Sequence, residues 1–268
     1  MATPVVDNSV QESDQAPRQA APSVRKPGVR DWMDPLQSLA STVVIAIFVI
    51  TFLLQAFQIP SESMENTLLI GDYLLVDKFS FGPPGLWNNI LPYQKIRHGD
   101  IIVFKWPVHP EQHFVKRVIG VPGDRIRLVN GKVLVNGNPV QETYAVHKLL
   151  NHDFFRDEFP SRRSLSPNVT SSWWAEIPSL TRNSDLMVPE GEYFVLGDNR
   201  DESYDSRYWG FVPRENIVGK PLVIYFSLRQ NDDDPLTAAS DDKIERFAYR
   251  IWHLPAMARW DRMLQLVK

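Results

Sequence analysis

Residues 55–76 read QAFQIPSESMENTLLIGDYLLV, and the fold turns on how this stretch is divided. An uncharged apolar run ends at Phe57, a Pro-Ser-x-Ser-Met turn follows at 60–64, and an apolar, strand-like segment (Tyr73, Leu74, Leu75, Val76) resumes beyond Gly71. Upstream, residues 37–57 (QSLASTVVIAIFVITFLLQAF) carry no charge. A helix of that length would span roughly 31 Å, close to a hydrocarbon core of about 30 Å, so the pattern predicts one transmembrane helix over 37–57. A cleavable leader fits worse, because the run starts late and no Ala-x-Ala site follows it. Arg18, Arg25, Lys26 and Arg30 precede the run and no Lys or Arg occurs from 58 through 77, which predicts a cytoplasmic N-terminus and an exported remainder.

The 268-residue chain has a net charge of −3 spread over a mixed sequence, which gives no reason to expect a nucleic-acid partner. It has no cysteine, so disulfides, thiolate metal sites and a cysteine nucleophile are excluded. Residues 1–36 are rich in Pro, Ala, Ser, Gln and Asp without apolar periodicity, and read as a flexible cytoplasmic tail. Beyond the apolar run come short apolar segments bounded by Gly, Pro and Asp: 73–76, 101–104, 114–121, 193–196 and 217–227. Asn130-Gly131, between RIRLV and KVLV, is a two-residue hairpin signal, since both central positions of such a turn need φ > 0. The fold class expected is therefore mainly β, an antiparallel sheet core over 58–140 and 189–228. Residues 141–188, with scattered charges and the Trp173-Trp174 pair, read as an inserted subdomain. Residues 229–268 read as a linker and an amphipathic segment, lying on the membrane or packing on the core.

Chemistry is narrowed by what is missing. None of the six histidines forms His-Glu-x-x-His, and there is no Gly-x-Ser-x-Gly elbow and no P-loop. The stretch 197–210 (GDNRDESYDSRYWG) fails as a calcium loop, with Ser206 and Val212 where Gly and Glu are needed. Ser63 is a candidate nucleophile, and a hydroxyl needs a base. Lys116, in the strand-like HFVKRVIGVPGD, shares a face with Phe114 and Val118, and apolar surroundings lower a lysine pKa. The alternative at this stage is a lysine reaching out to solvent, with His113 or His109 as base. The Ser63 amide and the Ser61 hydroxyl are candidate oxyanion donors.

Four blocks in order, IPSESMENTLLIGDYLLVDKFSFG, HGDIIVFKWP, FVKRVIGVPGDRI and GDNRDESYDSRYWGFVP, resemble the bacterial type I signal peptidases, membrane-anchored Ser/Lys endoproteases. The resemblance covers about Phe57 to Pro213 and omits both tails and the insertion. It implies Ser63 as nucleophile, Lys116 as general base, Ser61 as oxyanion donor with the Ser63 amide, and Ser203 as a serine that hydrogen-bonds and orients the lysine. Asp205 and Arg207 fall on the family's supporting ion pair. Ile59, Met64, Leu68, Phe114 and Val115 fall on the shallow pockets that accept small residues at −1 and −3 of an extended substrate bound by strand addition. It implies signal peptides of preproteins as substrates, the bilayer and the secretion translocon as partners, no metal or cofactor, and the bacterial inner membrane as location. A dedicated maturation peptidase of the same fold, a Ser-His hydrolase and a non-catalytic binding module stay open as alternatives. Two positions depart from the family: Asn66 where proline is common and Glu62 where glycine is common.

Overall fold

A computed structural model describes residues 29–48, 53–81, 94–149, 151–229, 252 and 255–268. Helix α1 (Val29–Phe48) is apolar from Leu36 onward apart from Gln37, Ser38, Ser41 and Thr42, and exposes Leu39, Val43, Val44, Ile45 and Ile47. The helix expected over 37–57 is corrected at its C-terminal end. Leu54–Gln58 is a strand, β1, paired antiparallel with β2 (Asp72–Asp77) from Leu54↔Asp77 to Gln58↔Tyr73. Branched and aromatic apolar residues suit either conformation, and here the ladder with β2 decides. Among the described residues no helix is long and apolar enough to cross a membrane.

The remaining strands are β3 (Ile101–Lys105), β4 (His113–Gly120), β5 (Arg125–Val129), β6 (Lys132–Val135), β7 (Asn138–Pro139), β8 (Thr181–Arg182), β9 (Asp185–Met187), β10 (Glu192–Leu196), β11 (Val212–Pro213), β12 (Ile217–Ser227) and β13 (Gln265–Leu266). Three short helices, α2 (Phe154–Asp157), α3 (Ser171–Leu180) and α4 (Ser206–Trp209), lie between them. One sheet has the order β1-β2-β12-β3-β4-β10-β11, with β13 added to β12, and a second has β7-β6-β5-β9-β8. Every pairing is antiparallel, in agreement with the expected class. Asn130 (φ 50) and Gly131 (φ 74) form the expected left-handed two-residue turn between β5 and β6.

The second sheet departs from the expected domain division. The hairpin 125–135 pairs through β9 with residues 185–187 rather than with the main sheet, so the subdomain begins before residue 141. Its inner face shares one core with the main sheet: Ile126, Leu128 and Leu186 pack with Phe155, Trp173 and Ile177 from the helices and Ile119, Phe194 and Leu196 from β4 and β10. A second cluster, Ile59, Met64, Leu68, Leu74, Val76, Ile101, Val103 and Ile224, underlies the 59–71 connection between β1 and β2. At the C-terminus, residues 258–267 lie on the sheet. The β13 ladder joins β12, and Arg262 reaches the buried carboxylate of Asp72 at 2.6 Å. The earlier part of the expected amphipathic segment, 230–251 and 253–254, falls outside the described residues.

The centre of the main sheet is β12, which runs between β2 and β3. There Gly219 passes so close to β2 that an added Cβ would lie 2.1 Å from the Asp77 carbonyl oxygen. Backbone cannot retreat as a side-chain tip can, so Gly219→Ala is expected to lower unfolding free energy by at least about 2 kcal/mol in urea titration. A midpoint unchanged from wild type would contradict this packing.

Candidate active site

The connection between β1 and β2 carries the candidate nucleophile. Ser63 sits in a 3-10 turn, Glu62–Met64, anchored by the buried side chains of Ile59, Met64 and Leu68. The turn is closed by Glu65 N–H on the Glu62 carbonyl (2.9 Å) and Leu68 N–H on the Met64 carbonyl (2.8 Å). Amides in the first turn of a helix have no intrahelical acceptor, which leaves the Ser63 N–H free to serve as a donor toward the cleft. Asn66 follows with φ 84, a value closed to proline, so the departure from the family pattern is accommodated by left-handed backbone.

Lys116 comes from β4, opposite Ile102 of β3. Its Nζ donates to Ser63 Oγ at 2.7 Å and to the Val115 carbonyl at 3.2 Å. Ser63 is 8% exposed and Lys116 4% exposed, so the pair is almost dry. Ser61, exposed, places its Oγ 3.3 Å from Ser63 Oγ. Burial drives the Lys116 pKa from 10.5 down to about 8; Asp205 and Asp198 pull it up, and Arg207 pushes it down. His113 packs against Phe57 with the rings tilted at 51° and their centroids 5.3 Å apart, and His109 lies 3.3 Å from the Glu111 carboxylate.

The loop 197–205 backs the pair. Asn199 N–H donates to the Ser63 carbonyl at 3.2 Å. At Gly197 an added Cβ would lie 2.4 Å from that carbonyl and 2.2 Å from Ser203 Oγ, so only glycine allows the approach. Asp205 and Arg207, 0% and 1% exposed, form a two-pronged pair at 2.8 Å on each prong. Arg207 Nη2 also donates to the Arg200 carbonyl (2.7 Å), and Gly197 N–H donates to Asp205 Oδ2 (3.1 Å). Ser203 is buried, but the bond to Lys116 that was expected of it is not made: its hydroxyl has no hydrogen-bond partner among the described residues.

Ser63 and Lys116 open onto a cleft of about 410 Å³. Phe57 to Ser61 form one wall, His113 to Lys116 the other, with Met64 and Tyr204 between them. Ile59, Met64, Phe114 and Val115 line it as expected. Leu68 does not: it is fully buried beneath the turn, because the turn points its side chain into the sheet core. β10 joins β4 only from Arg117 onward, so residues 113–116 have a strand neighbour on one side, β3. The sequence reading missed Tyr204 and the second buried pair, Arg117–Asp198, whose prongs are 2.8 and 2.7 Å long. The run Asp198-Asn199-Arg200-Asp201 was the available signal, but charge this dense ordinarily faces water.

Residues 32–226 match the family model described as signal peptidase, peptidase S26. The signal peptidase I of Aquifex aeolicus is 36% identical over 73% of this chain and 87% of its own length. That of Pseudomonas aeruginosa is 35% identical over 71% of each chain. The crystal structure of a signal peptidase I from Enterococcus faecalis V583 aligns at 32% identity over 47% of this chain and 97% of its own, with a TM-score of 0.32.

A lysine that binds its proton less tightly when folded than when unfolded penalises folding wherever both states hold that proton. For Lys116 the penalty is full below pH 8, about 3 kcal/mol at 1.36 kcal/mol per pKa unit, and disappears as pH rises past 10.5. Lys116→Met is therefore expected to be inactive yet more stable than wild type at pH 7, by about 1–3 kcal/mol in urea titration, with the gain shrinking above pH 10. A variant less stable than wild type at pH 7 would contradict a strained, dry ammonium.

Proposed function

The chain belongs to the signal peptidase family, peptidase S26, and on that premise we propose how its site works. It is an endopeptidase that removes N-terminal signal peptides from preproteins. Ser63 is the nucleophile and Lys116 the general base. The observation that carries this reading is the 2.7 Å contact between a nearly dry Lys116 Nζ and Ser63 Oγ.

The substrate lies extended in the cleft and adds to the free side of 113–116, with small residues at −1 and −3 set against Ile59, Met64, Phe114 and Val115. Neutral Lys116 takes the Ser63 proton as Oγ attacks the carbonyl of residue −1. The oxyanion accepts hydrogen bonds from the Ser63 amide and the Ser61 hydroxyl. Lys116 then gives its proton to the departing amine of the mature chain, leaving an ester on Ser63. Water, deprotonated by the now neutral Lys116, attacks the ester, and the proton passes from Lys116 to the departing Ser63 oxygen, which restores both groups. Asp205 and Arg207 support the loop behind the base, and Ser203 lies within it. Exclusion of bulk at −1 is steric, since an alanine side chain contributes little binding free energy.

We assign the uncharged run from residue 37 up to the start of β1 at Leu54 as the tether to the inner membrane, with the N-terminus cytoplasmic and the catalytic unit on the outer side. A signal peptide presents its cleavage site just outside the same bilayer, so tethering confines enzyme and bond to one surface and raises their effective concentration. The secretion translocon, which delivers such substrates, is the expected neighbour there.

Because only the neutral amine can take the proton, kcat/KM should rise with pH through an inflection near 8. Cleavage of a preprotein with Ala at −1 and −3, assayed in detergent micelles from pH 5 to 10, gives the profile. Ser63→Ala and Lys116→Ala, checked for folding by circular dichroism, should lose at least about 1,000-fold in kcat. A flat profile would argue against lysine as the base, and activity kept in Lys116→Ala but lost in His113→Ala would move the base to histidine.

A further inference from the structure

Thr67 lies on the way out of the catalytic turn and is bound from two sides. From the C-terminal segment, Arg262 Nη2 donates to the Thr67 carbonyl at 3.0 Å and to Asp72 Oδ2 at 2.6 Å, while its Nε donates to Asp72 Oδ1 at 3.2 Å. Arg259 Nη1 donates to the Ile70 carbonyl at 3.0 Å. The stretch 67–72 is thereby fixed to the sheet by residues near the end of the chain. From the other side, Thr67 Oγ1 donates to Asp198 Oδ2 at 2.5 Å and accepts from Arg117 Nη2 at 3.3 Å.

These partners adjoin the site directly. Arg117 follows Lys116 in β4, and Asp198 lies between Gly197 and Asn199, both in contact with the Ser63 backbone. One hydroxyl thus links the turn that carries the nucleophile, the strand that carries the base and the loop behind both. The charges do not need it for their own satisfaction: Arg117 and Asp198 already form two full bonds, and Arg117 Nη1 donates to the Gly99 carbonyl at 2.8 Å. What the hydroxyl adds is a fixed distance between that pair and the turn.

We propose that Thr67 is a positioning residue that sets the separation of the Ser63 hydroxyl from the Lys116 amine, and that Arg262 of the C-terminal segment holds Thr67 in place for it. The proposal rests on the Ser63–Lys116 reading above. Proton transfer requires heavy-atom distances of about 2.6–3.2 Å, and a misplacement near 1 Å lowers rates about 100-fold. Slack in this linkage therefore acts on the chemical step and leaves the cleft that binds substrate as it was.

The test uses the full chain in detergent micelles with the same preprotein, comparing wild type, Thr67→Val, Thr67→Ser and Arg262→Met, with Lys116→Ala as reference. Thr67→Val should remain folded by near-ultraviolet circular dichroism, keep KM within about twofold and lose about 10- to 100-fold in kcat. The inflection of its pH profile should move up toward the ordinary lysine range as water gains access. Thr67→Ser should restore most of the rate, and Arg262→Met should fall in the same direction as Thr67→Val. Should Thr67→Val not fold, Arg262→Met is judged by the same kcat, KM and pH readings. The proposal is overturned if the folded variants keep wild-type kcat and pH inflection while Lys116→Ala is inactive, or if their loss only tracks the unfolded fraction. Activity retained in Lys116→Ala would instead overturn the Ser63–Lys116 reading itself.

Discussion

A lysine that is to accept a proton near neutral pH must be kept out of water and away from unneutralised carboxylates, and the whole site is arranged around that requirement. Lys116 is nearly dry, with the Phe114 ring 5.4 Å from its Nζ. Two carboxylates, Asp198 and Asp205, are close enough to stabilise its charged form. Each is taken by an arginine in a two-pronged pair, Asp198 by Arg117 and Asp205 by Arg207. A carboxylate left without its guanidinium would bind the ammonium and hold it protonated. The arginines therefore do for the Lys116 amine what distance does elsewhere: they offset the charge of the nearby acids.

Buried pairs of this kind contribute little net stability, because removing two charges from water offsets most of their attraction. Their effect is geometric. In the 197–207 block, Gly197 approaches the Ser63 carbonyl, Asp198 and Asp205 face inward to arginines, and Arg200 binds Glu142 and the Gly197 carbonyl. A segment that reads as a polar surface loop thus behaves as core. Its Ser203 hydroxyl, which has no hydrogen-bond partner among the described residues, lies against Gly197.

The parts legible in the sequence were those fixed by local chemistry. Asn130-Gly131 has few conformations open to it, and the alternation around Lys116 placed it among apolar neighbours before any fold was known. The parts that escaped depend on partners distant in sequence. Residues 54–57 are equally apolar as helix or strand, and only β2 settles the matter. Leu68 belongs to the right connection but faces the core, because side-chain direction in an irregular turn is not written in its composition. The 125–135 hairpin looked complete by itself, and its pairing with 185–187 across the inserted helices carries no local mark. The Arg117–Asp198 pair is equally distant, joining two blocks that had been read separately.

The position of β12 has a consequence in time. Among the described residues it is the last long strand, yet it lies inside the main sheet, with β2 and β3 on either side. Until residues 217–227 have been made and delivered, β2 and β3 have no common neighbour, and the connection bearing Ser63 rests on a half-built sheet. Contacts between segments so far apart close slowly, since loop entropy must be overcome before any pairing stabilises them. A chain that has not yet made this strand holds Ser63 and Lys116 on parts of the sheet that are still unjoined. Proteolytic activity therefore waits on a strand that lies far beyond either residue in sequence.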